Sequence, residues 1–474
     1  MSLPMERMSR VDTAWLRMDT PENLMMIVGI WVLDPKISVA QLRERCVEKL
    51  LPYRRFRQYV AEDVMGAHWV EAPDFDIANH VVEGEIQLRQ GQNHEQALRE
   101  HVGALTGEPL DPKRPLWHIE LVEDFAGRSV MISRIHHCIA DGIALIAVMM
   151  AITDGGVLPP VRKKREQPEE DHDWWVDVLL KPISDLTQQA IKLTSKGVGK
   201  GMEALITPEH PLDGPMHMAK LGMQAMSDVT AFALMPDDSP TRLKGKPGVR
   251  KTVAWDDRLP LDEVKAIGKA LGGSVNDVLL SCVAGAIASY LAEKGEDPRG
   301  KEIRAMVPVN LRPMDKAYQL GNRFGLVPLV LPIGIANPVE RMYAVRARMS
   351  DLKGSFQPIM AFGLLSVAGL LIKPVQHQLL NLFAKKATAV MTNVPGPAKP
   401  LKFLGSTVEQ VMFWVPQSGD IGMGVSILTY AGRVQFGLIT DARLCPDPEN
   451  IVSRLLPEFE KLTLLTMLLP WGED

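Results

Sequence analysis

The chain has 474 residues, of which 46% are hydrophobic and 23% are charged, and a formal net charge of -4 at pH 7. This length exceeds what one hydrophobic core usually organises, so we expect two folded domains. The small net charge excludes a general attraction to nucleic acid or anionic lipid, so any membrane contact must be local. Four cysteines without paired spacing favour free thiols in a reducing compartment: Cys46, Cys138, Cys282 and Cys445.

The N-terminal stretch carries charges where a signal peptide needs an apolar segment. We therefore expect a cytoplasmic protein, and peripheral contact with the inner face of the cell membrane or with a lipid-droplet surface is left open. The longest apolar run, residues 359–372, is shorter than the roughly 20 residues that a transmembrane helix needs. It is interpreted as a core or binding-site helix or, at most, as one that dips into a surface.

The first predicted elements alternate between strand and helix. Residues 24–33 predict a strand, residues 39–51 an amphipathic helix and residues 93–104 another helix. An AGR turn at residues 126–128 then joins two predicted strands into a hairpin. This order of β followed by α predicts an α/β fold.

A polar segment, HHCIADG at residues 136–142, lies between a predicted buried strand and the apolar helix predicted at 143–152. Side chains alternate across a strand, so if the strand reaches His137, the rings of His136 and His137 point to opposite sides of the sheet. One imidazole can then face a cavity while the other packs beneath it. Cys138 is interpreted as a small packing residue.

Three interpretations of this segment are open from the residues alone. Asp141 can be the N-cap of the following helix, with Gly142 permitting unusual dihedral angles. A metal site is the second interpretation, but no HExxH or CxxC partner occurs elsewhere, and we expect no metal. The third is acid–base chemistry, because an imidazole with a pKa of about 6.5 can accept and return a proton near neutral pH. His137 is the candidate base.

Composition changes at residues 158–173, where prolines and dense charge replace the apolar pattern and predict a linker. Residues 174–206 predict broken helices with two tryptophans and several lysines, which suit either a membrane-interface helix or a connector packed across both domains. We therefore expect an N-terminal domain at 1–157, connecting segments at 158–214 and a C-terminal domain at 215–474.

The C-terminal half repeats the alternation of strand and helix. Residues 251–295 predict a strand, a helix, a Gly-Gly turn and a long helix that starts in SVNDV. Ser274 can cap this long helix. Asn276 and Asp277 fall in its first turn, where Asn276 can either cap the helix or donate a hydrogen bond toward a site between the domains.

The predicted hairpin has an echo at residues 424–444, which again read as strand, AGR turn and strand. Counting eight residues from each turn arginine reaches His136 in the first copy and Asp441 in the second. The echo suggests two related halves, of which one kept catalytic groups.

HHCIADG fits HHxxxDG, the active-site signature of the CoA-dependent acyltransferase superfamily. Four further motifs occur in an order that is typical of one branch: PLW at 115–117, SVNDV at 274–278, GNRFG at 321–325 and TNVPGP at 392–397. The opening is also similar to the pattern SxxDxxFL, which matches at Ser9, Asp12 and Leu16, with Trp15 in place of Phe. Over essentially its whole length, the chain resembles the bacterial wax ester synthase/diacylglycerol acyltransferase family.

This resemblance implies a fold and a reaction. The expected fold is α/β, with two chloramphenicol-acetyltransferase-like domains, each a mixed β-sheet flanked by helices, and an active-site tunnel at their interface. The expected reaction moves a long-chain fatty acyl group from acyl-CoA to a long-chain alcohol or diacylglycerol without an acyl-enzyme. Acyl-CoA is then a substrate, and neither a separate cofactor nor a nucleic-acid partner is expected.

The resemblance also implies roles for individual residues. His137 is expected to act as general base, with His136 in support. Asp141 is expected to pair with an arginine, for which Arg312 is the candidate, and to hold the loop rather than do chemistry. Asn276 is the candidate oxyanion donor. Further structural support is expected from two motif residues: Gly142 and Asp277.

Long substrate tails need an apolar tunnel. The tunnel wall is assigned to a segment with small residues: Ala361, Phe362, Gly363 and Leu364. Ordinary helix packing is the alternative for this segment. Two other function classes also stay open, namely a condensation-domain-like acyltransferase with another acceptor and a non-catalytic acyl-lipid binding protein.

Overall fold

The computed structural model describes residues 5–63, 66–156, 236–311, 320–353, 376 and 384–469. The predicted connecting segments at 158–214, Arg312 and the predicted tunnel residues 361–364 lie outside the described residues. Within the described ranges the fold is mixed α/β, as predicted, with β-sheets covered by helices.

The α-helices of the described ranges lie mainly where apolar residues recur with helical spacing. They are α1 (Arg10–Arg17), α2 (Val39–Arg45), α3 (His94–Leu105), α4 (Gly142–Ile152), α5 (Leu261–Ala270), α6 (Val275–Glu293), α7 (Pro338–Lys353), α8 (Glu449–Val452) and α9 (Leu455–Met467). Ser9, Ser38, Asn93 and Ser274 cap α1, α2, α3 and α6 through their side-chain oxygens.

The strands are rich in β-branched and aromatic residues. They are β1 (Met5–Arg7), β2 (Met26–Asp34), β3 (Gln58–Asp63), β4 (Gly66–Glu71), β5 (Val81–Glu83), β6 (Trp117–Phe125), β7 (Arg128–His136), β8 (Lys251–Pro260), β9 (Ile303–Asn310), β10 (Phe324–Leu331), β11 (Ala389–Pro395), β12 (Lys402–Phe403), β13 (Ser406–Trp414), β14 (Met423–Tyr430) and β15 (Arg433–Asp441). A small sheet has the order β1-β4-β3.

The first large sheet has the strand order β12-β13-β2-β7-β6-β5. Its central strands are buried on both faces, because alternate residues enter different apolar clusters. In β7, for example, Met131 and Ile135 belong to one cluster, and Val130 and Ile132 belong to another. This explains why the sequence before the histidines is apolar without alternation.

The second large sheet has the order β10-β9-β11-β14-β15-β8, in which β11 is parallel to both of its neighbours. Its core includes most of helix α6. By length and composition this helix could cross a bilayer, but 72% of its most apolar window is buried inside the protein. Such burial is typical of a core helix.

Two strands from the C-terminal half of the chain, β12 and β13, join the first large sheet. Strand β13 pairs with β2, where Phe413 lies opposite Gly29. Tyr430 links the two sheets, since its hydroxyl donates to the carbonyl of Val408 and accepts from the amide of Leu401. Neither large sheet is therefore formed by one contiguous stretch of the chain. The proposed domain limits stay a prediction.

The predicted echo is a pair of matching hairpins. Strands β6 and β7 are joined through Ala126 and Gly127, and β14 and β15 through Ala431 and Gly432. All four turn residues have positive φ, which is the geometry of type I′ hairpin turns. Strand β7 ends at His136 and β15 ends at Asp441, the two residues that the count from the turn arginines reached.

Candidate active site

The two histidines lie where β7 ends and the chain turns into α4. The amide of His136 donates to the carbonyl of Leu116, which belongs to the PLW motif, over 2.9 Å. The amide of His137 donates to the carbonyl of Met25 over 2.7 Å. The turn is therefore held by backbone bonds on both sides before either imidazole makes a contact.

The ring of His137 is enclosed by aromatic side chains. Trp15 stacks on it, with ring centroids 4.3 Å apart and planes 14° apart, and the ring of Phe324 is centred 5.5 Å away. Only 7% of His137 is exposed. Burial lowers the pKa of His137 to about 4, although the nearby Asp141 carboxylate and a hydrogen bond to Asn322 favour the charged form. His137 is therefore neutral at pH 7.

Asn322 determines which nitrogen of His137 carries the proton. Its Nδ2 donates to Asp12 Oδ1 and to the carbonyl of His137, each over 2.8 Å. Both partners are acceptors, so the amide oxygen must be the atom that lies 2.8 Å from His137 Nδ1. This oxygen can only accept, so Nδ1 holds the proton and the lone pair is on Nε2. A neutral imidazole in this tautomer can accept a proton from a substrate.

His136 has separate partners. Its Nδ1 accepts from the amide of Cys138 over 3.1 Å, and its Nε2 lies 3.3 Å from Asp19 Oδ2. The strand ends at His136, so the turn, rather than strand alternation, separates the two rings. Asp19 also accepts from the amide of Met25, which connects His136 to the segment before β2. This arrangement is compatible with a supporting role, which stays a prediction.

Asp141 is the N-cap of α4, which was one of the interpretations from sequence. Its Oδ1 accepts from the amide of Ala144 over 2.9 Å, and its Oδ2 accepts from the amide of Arg323 over 3.1 Å. The expected partner, Arg312, lies outside the described residues, so that pairing stays a prediction. Gly142, which was interpreted as permitting unusual dihedral angles, does not have a positive φ, and its supporting role stays a prediction. An added Cβ at Gly142 would meet no described atom within 4 Å.

A segment of the C-terminal half completes the site. The amide of Gly321 donates to the carbonyl of Ile139 over 3.1 Å, and the amide of Asn322 donates to Asp12 Oδ1 over 3.0 Å. Gly321 has φ of 101°, a conformation that favours glycine. The GNRFG motif therefore contacts both the histidine loop and helix α1.

Asn276 and Asp277 lie in the first turn of α6. Ser274 Oγ accepts from the amide of Asp277 over 3.3 Å, which is the predicted cap, and the Asp277 carboxylate accepts in return from the amide and hydroxyl of Ser274. Asn276 Oδ1 accepts from Nδ2 of Asn393 in the TNVPGP motif. This bond uses the oxygen of Asn276 and leaves its NH2 group to donate. The assignment of Asn276 as oxyanion donor stays a prediction.

Three residues that contact or support His137 were not given roles from sequence: Asp12, Trp15 and Asn322. They were noted only as parts of family motifs. Asp12 resembles an ordinary acidic residue in the first turn of a helix, where it favours the helix dipole. Asp12 and Asn322 are 310 residues apart, so no local sequence pattern indicates that they are in contact. The signal that was present is the match of both motifs to one family.

The other polar features lie away from the histidines. A cavity of about 890 Å³ is lined by Arg128 and Val130 at the start of β7 and by Arg433 at the start of β15, the ends of these strands opposite His136 and Asp441. The second interpretation from sequence was a metal site. In the part of the chain that the structure describes, no group of three His, Cys, Asp or Glu side chains lies close enough together to hold a metal ion. The four cysteines are unpaired, as predicted, and all four are buried.

The chain matches two family models. Residues 8–279, more than half of the chain, match the model described as wax ester synthase/diacylglycerol acyltransferase catalytic domain. Residues 320–463 match the corresponding C-terminal domain. A probable diacylglycerol O-acyltransferase of Mycobacterium tuberculosis is 25% identical over 477 aligned positions, which cover 95% of this chain and 96% of the relative.

Solved structures with low sequence identity share the fold. A wax ester synthase/diacylglycerol acyltransferase from Marinobacter aquaeolei has a TM-score of 0.65 at 19% identity, covering 97% of this chain and 100% of that one. A trichothecene 15-O-acetyltransferase from Fusarium sporotrichioides has a TM-score of 0.60 at 12% identity, with 96% and 94% covered. The first condensation domain of the calcium-dependent antibiotic synthetase has a TM-score of 0.58 at 13% identity, with 98% and 96% covered.

The buried, neutral His137 predicts a specific loss of stability in acid. Its pKa is about 4 in the folded protein and about 6.5 when unfolded. The unfolded chain therefore gains the proton first, and stability that is complete above pH 6.5 falls as the pH approaches 4. Between pH 7 and pH 5 this group should remove about 2 kcal/mol from the free energy of unfolding.

Urea unfolding of wild type and His137→Gln at pH 7 and pH 5 measures this loss. The wild type should lose about 2 kcal/mol more than the variant between the two pH values. His94→Gln, at an exposed position, is the control and should behave as wild type. Parallel pH dependence in all three proteins would contradict the assignment of a neutral, buried imidazole.

Proposed function

The chain belongs to the wax ester synthase/diacylglycerol acyltransferase family, and we propose that His137 is the general base of its acyl transfer. Membership makes the protein an acyltransferase that uses acyl-CoA to form wax esters or triacylglycerol. The single observation that carries the assignment of the base is the bond between His137 Nδ1 and Asn322 Oδ1, which leaves the Nε2 lone pair to accept a proton.

The proposed reaction is a direct transfer. The acceptor hydroxyl attacks the thioester carbonyl of acyl-CoA while His137 Nε2 takes its proton, so a C–O bond forms and a tetrahedral oxyanion results. The C–S bond then breaks, the imidazolium returns the proton to the CoA sulfur, and the ester and free CoA leave. One proton moves out and back, so the enzyme ends unchanged.

The low pKa of His137 has opposite effects on the two proton transfers, because it makes the neutral ring a weaker base and the imidazolium a stronger acid. The low pKa keeps the ring neutral at pH 7, so the lone pair is present when the acceptor arrives. The same low pKa makes the imidazolium a strong acid once it forms, which favours return of the proton to the thiolate. The Asp141 carboxylate partly offsets the burial of this transient charge.

A covalent route through Cys138 is disfavoured by its surroundings. The thiol is fully buried, with 0% exposure, and burial raises its pKa. The thiolate is the nucleophilic form, so a raised pKa removes the species that an acyl-enzyme would need. This supports the direct transfer.

We assign stabilisation of the oxyanion to Asn276. Its bond with Asn393 leaves the NH2 group to donate, and it lies in the first turn of α6, where the helix dipole also favours negative charge. A donor of this kind typically contributes about 3 to 4 kcal/mol to the transition state.

One face of α4 is suited to a long acyl chain. The helix contains no charged or polar residue, yet one set of its residues is only half-buried: Ile143, Ile146, Ala147 and Met150. Their spacing of three and four places them on one side of the helix, which starts directly after Asp141. We propose this stripe as one wall of the acyl site. The tunnel wall assigned to 361–364 stays a prediction.

We also propose that the end of α9 contacts a lipid surface, since diacylglycerol is a lipid acceptor. Leu464, Met467 and Leu468 are 61%, 70% and 79% exposed. Their spacing of three and four residues places them on one face. Large apolar side chains grouped in this way mark interaction surfaces. On this proposal the protein is cytoplasmic and binds the inner face of the membrane peripherally.

The central proposal predicts acyl transfer that depends on both the acceptor and His137. Purified protein with palmitoyl-CoA should release free CoA thiol when hexadecanol or a diacylglycerol is added. His137→Ala should lower the rate by about 100-fold to 10,000-fold, the range of general acid–base catalysis. The exposed His94→Ala is the control.

The same assay separates the alternatives. Thiol release that needs an amine acceptor instead would favour a condensation-like transferase, and binding of acyl-CoA without release would favour a lipid-binding protein. If His137→Ala keeps more than a tenth of the activity with a lipid alcohol, the assignment of the base is wrong.

The acyl wall on α4 predicts a change in chain-length preference. In Ala147→Phe the larger ring should fill the half-buried face and lower kcat/KM for palmitoyl-CoA by about tenfold, because roughly two buried CH2 groups of contact are lost. Butyryl-CoA should be affected less than twofold. Ala266→Phe, at an exposed position on α5, is the matched control. Equal losses with both donors would show that α4 does not contact the chain.

Lipid contact through α9 predicts weaker binding to vesicles when the apolar face carries charge. The double variant Leu464→Glu/Leu468→Glu should sediment with phosphatidylcholine vesicles containing diacylglycerol at least about fivefold less than wild type. Val47→Glu alters an exposed valine elsewhere and should bind as wild type. Unchanged sedimentation of the double variant would exclude this face as the contact.

A further inference from the structure

We propose that Asp12 is a positioning residue for acyl transfer, which acts through the Asn322 amide to hold His137 with a bare Nε2. The inference rests on the proposed role of His137 as base. Asp12 does not contact the imidazole, and its carboxylate is one amide group away. Its effect on the reaction would therefore be indirect.

Asp12 fixes the orientation of the Asn322 side chain. Asp12 Oδ1 accepts from both Nδ2 and the backbone amide of Asn322, over 2.8 Å and 3.0 Å. A flipped amide would direct its oxygen at the Asp12 carboxylate and at the carbonyl of His137. It would also present an NH2 group to His137 Nδ1. The carboxylate thus selects the amide orientation in which Oδ1 can hold the Nδ1 proton.

The surroundings of Asp12 are costly for an acidic residue unless its charge is used. Asp12 is only 5% exposed. No lysine or arginine forms an ion pair with it in the described ranges, and Asn322 supplies two of its hydrogen bonds. A first-turn acid that only favoured the helix dipole could remain in solvent, as Glu95 does in α3. The buried site indicates that the carboxylate serves its contact with Asn322.

An amide next to the imidazole has a different effect from a carboxylate. A carboxylate bonded to Nδ1 would stabilise the imidazolium and raise the pKa of the ring. Asn322 orients the His137 ring in the same way but carries no charge. The charge of Asp12 is therefore separated from the ring by the Asn322 amide. The other charged or titratable groups that face His137 are Asp141, which raises its pKa, and His136, which lowers it.

Helix α1 holds the imidazole in two ways. Asp12 orients its edge through Asn322, and Trp15, three residues later on the same helix, stacks on its face. The amide of Asp12 donates to Ser9, which caps the helix. The opening motif of the chain therefore sets both the plane and the tautomer of a ring that lies more than 120 positions later in the sequence.

A charge exchange tests this role. In Asp12→Asn the side chain at position 12 can present either its oxygen or its NH2 group to Asn322, so the selected orientation of the Asn322 amide is weakened and kcat should fall by about 10-fold to 100-fold, while both KM values change less than twofold. In Asn322→Asp the two neighbouring carboxylates share one proton. With that proton on Asp12, the negative charge lies on the group that contacts His137 directly, so the acidic limb of the kcat/KM profile should move up by about one to two pH units.

The double variant Asp12→Asn/Asn322→Asp exchanges the two groups. The amide introduced at position 12 can donate to the carboxylate introduced at position 322, so kcat at pH 8 should recover to within about threefold of wild type. The acidic limb should stay at the raised pH, because the carboxylate remains on Nδ1. Glu95→Gln, which neutralises a first-turn acid of α3, is the control and should change neither quantity.

The outcomes separate this inference from the proposed function. If Asp12 is only structural, Asp12→Asn lowers the melting temperature but leaves kcat per folded enzyme and the pH profile unchanged, which overturns the inference. If Asp12→Asn does not fold, the same decision is made on Asn322→Asp and the double variant. An active His137→Ala would instead overturn the general base itself, whatever the other variants show.

Discussion

The hydrogen bonds of the Asn322 amide are the constraint on which the site depends. One side chain contacts the carboxylate of Asp12 on α1 and both the carbonyl and the ring of His137. Each bond has a determined direction, because the two acceptors of Nδ2 leave the oxygen for His137. A lone pair on Nε2 follows from this network without any assumption about the substrate. The chemistry of the base is therefore set by residues from both halves of the chain.

The architecture explains why this contact forms. The two large sheets each contain a hairpin with a type I′ turn, and both hairpins end in a polar residue at the same position. In the first sheet that end carries the histidines. In the second sheet, the equivalent strand end carries Asp441, which forms a buried ion pair with Lys251. Strands β12 and β13 of the C-terminal half join the first sheet, and the backbone amides of residues 321–323 donate to the histidine loop and to Asp12.

Local features of this chain could be predicted from sequence, and distant contacts could not. The strand before His136, the apolar helix α4, the Asp141 cap and the paired hairpins all follow from patterns within about 20 residues. The pairing of Asn276 with Asn393 and of Asp12 with Asn322 joins segments far apart in sequence. Nothing in the sequence indicated these two contacts beyond the fact that the four residues lie in family motifs. The supporting role of Gly142 stays a prediction, because glycine alone does not distinguish a strained turn from open space and its φ is not positive.

The central claim is that neutral His137 carries its proton on Nδ1. Long-range 1H–15N NMR of protein labelled with 15N-histidine, assigned by comparison with His137→Gln, observes the two ring nitrogens at pH 7 separately. The account predicts a protonated Nδ1 and an unprotonated Nε2 for His137. A spectrum with the proton on Nε2, or with both nitrogens protonated at pH 7, would contradict it.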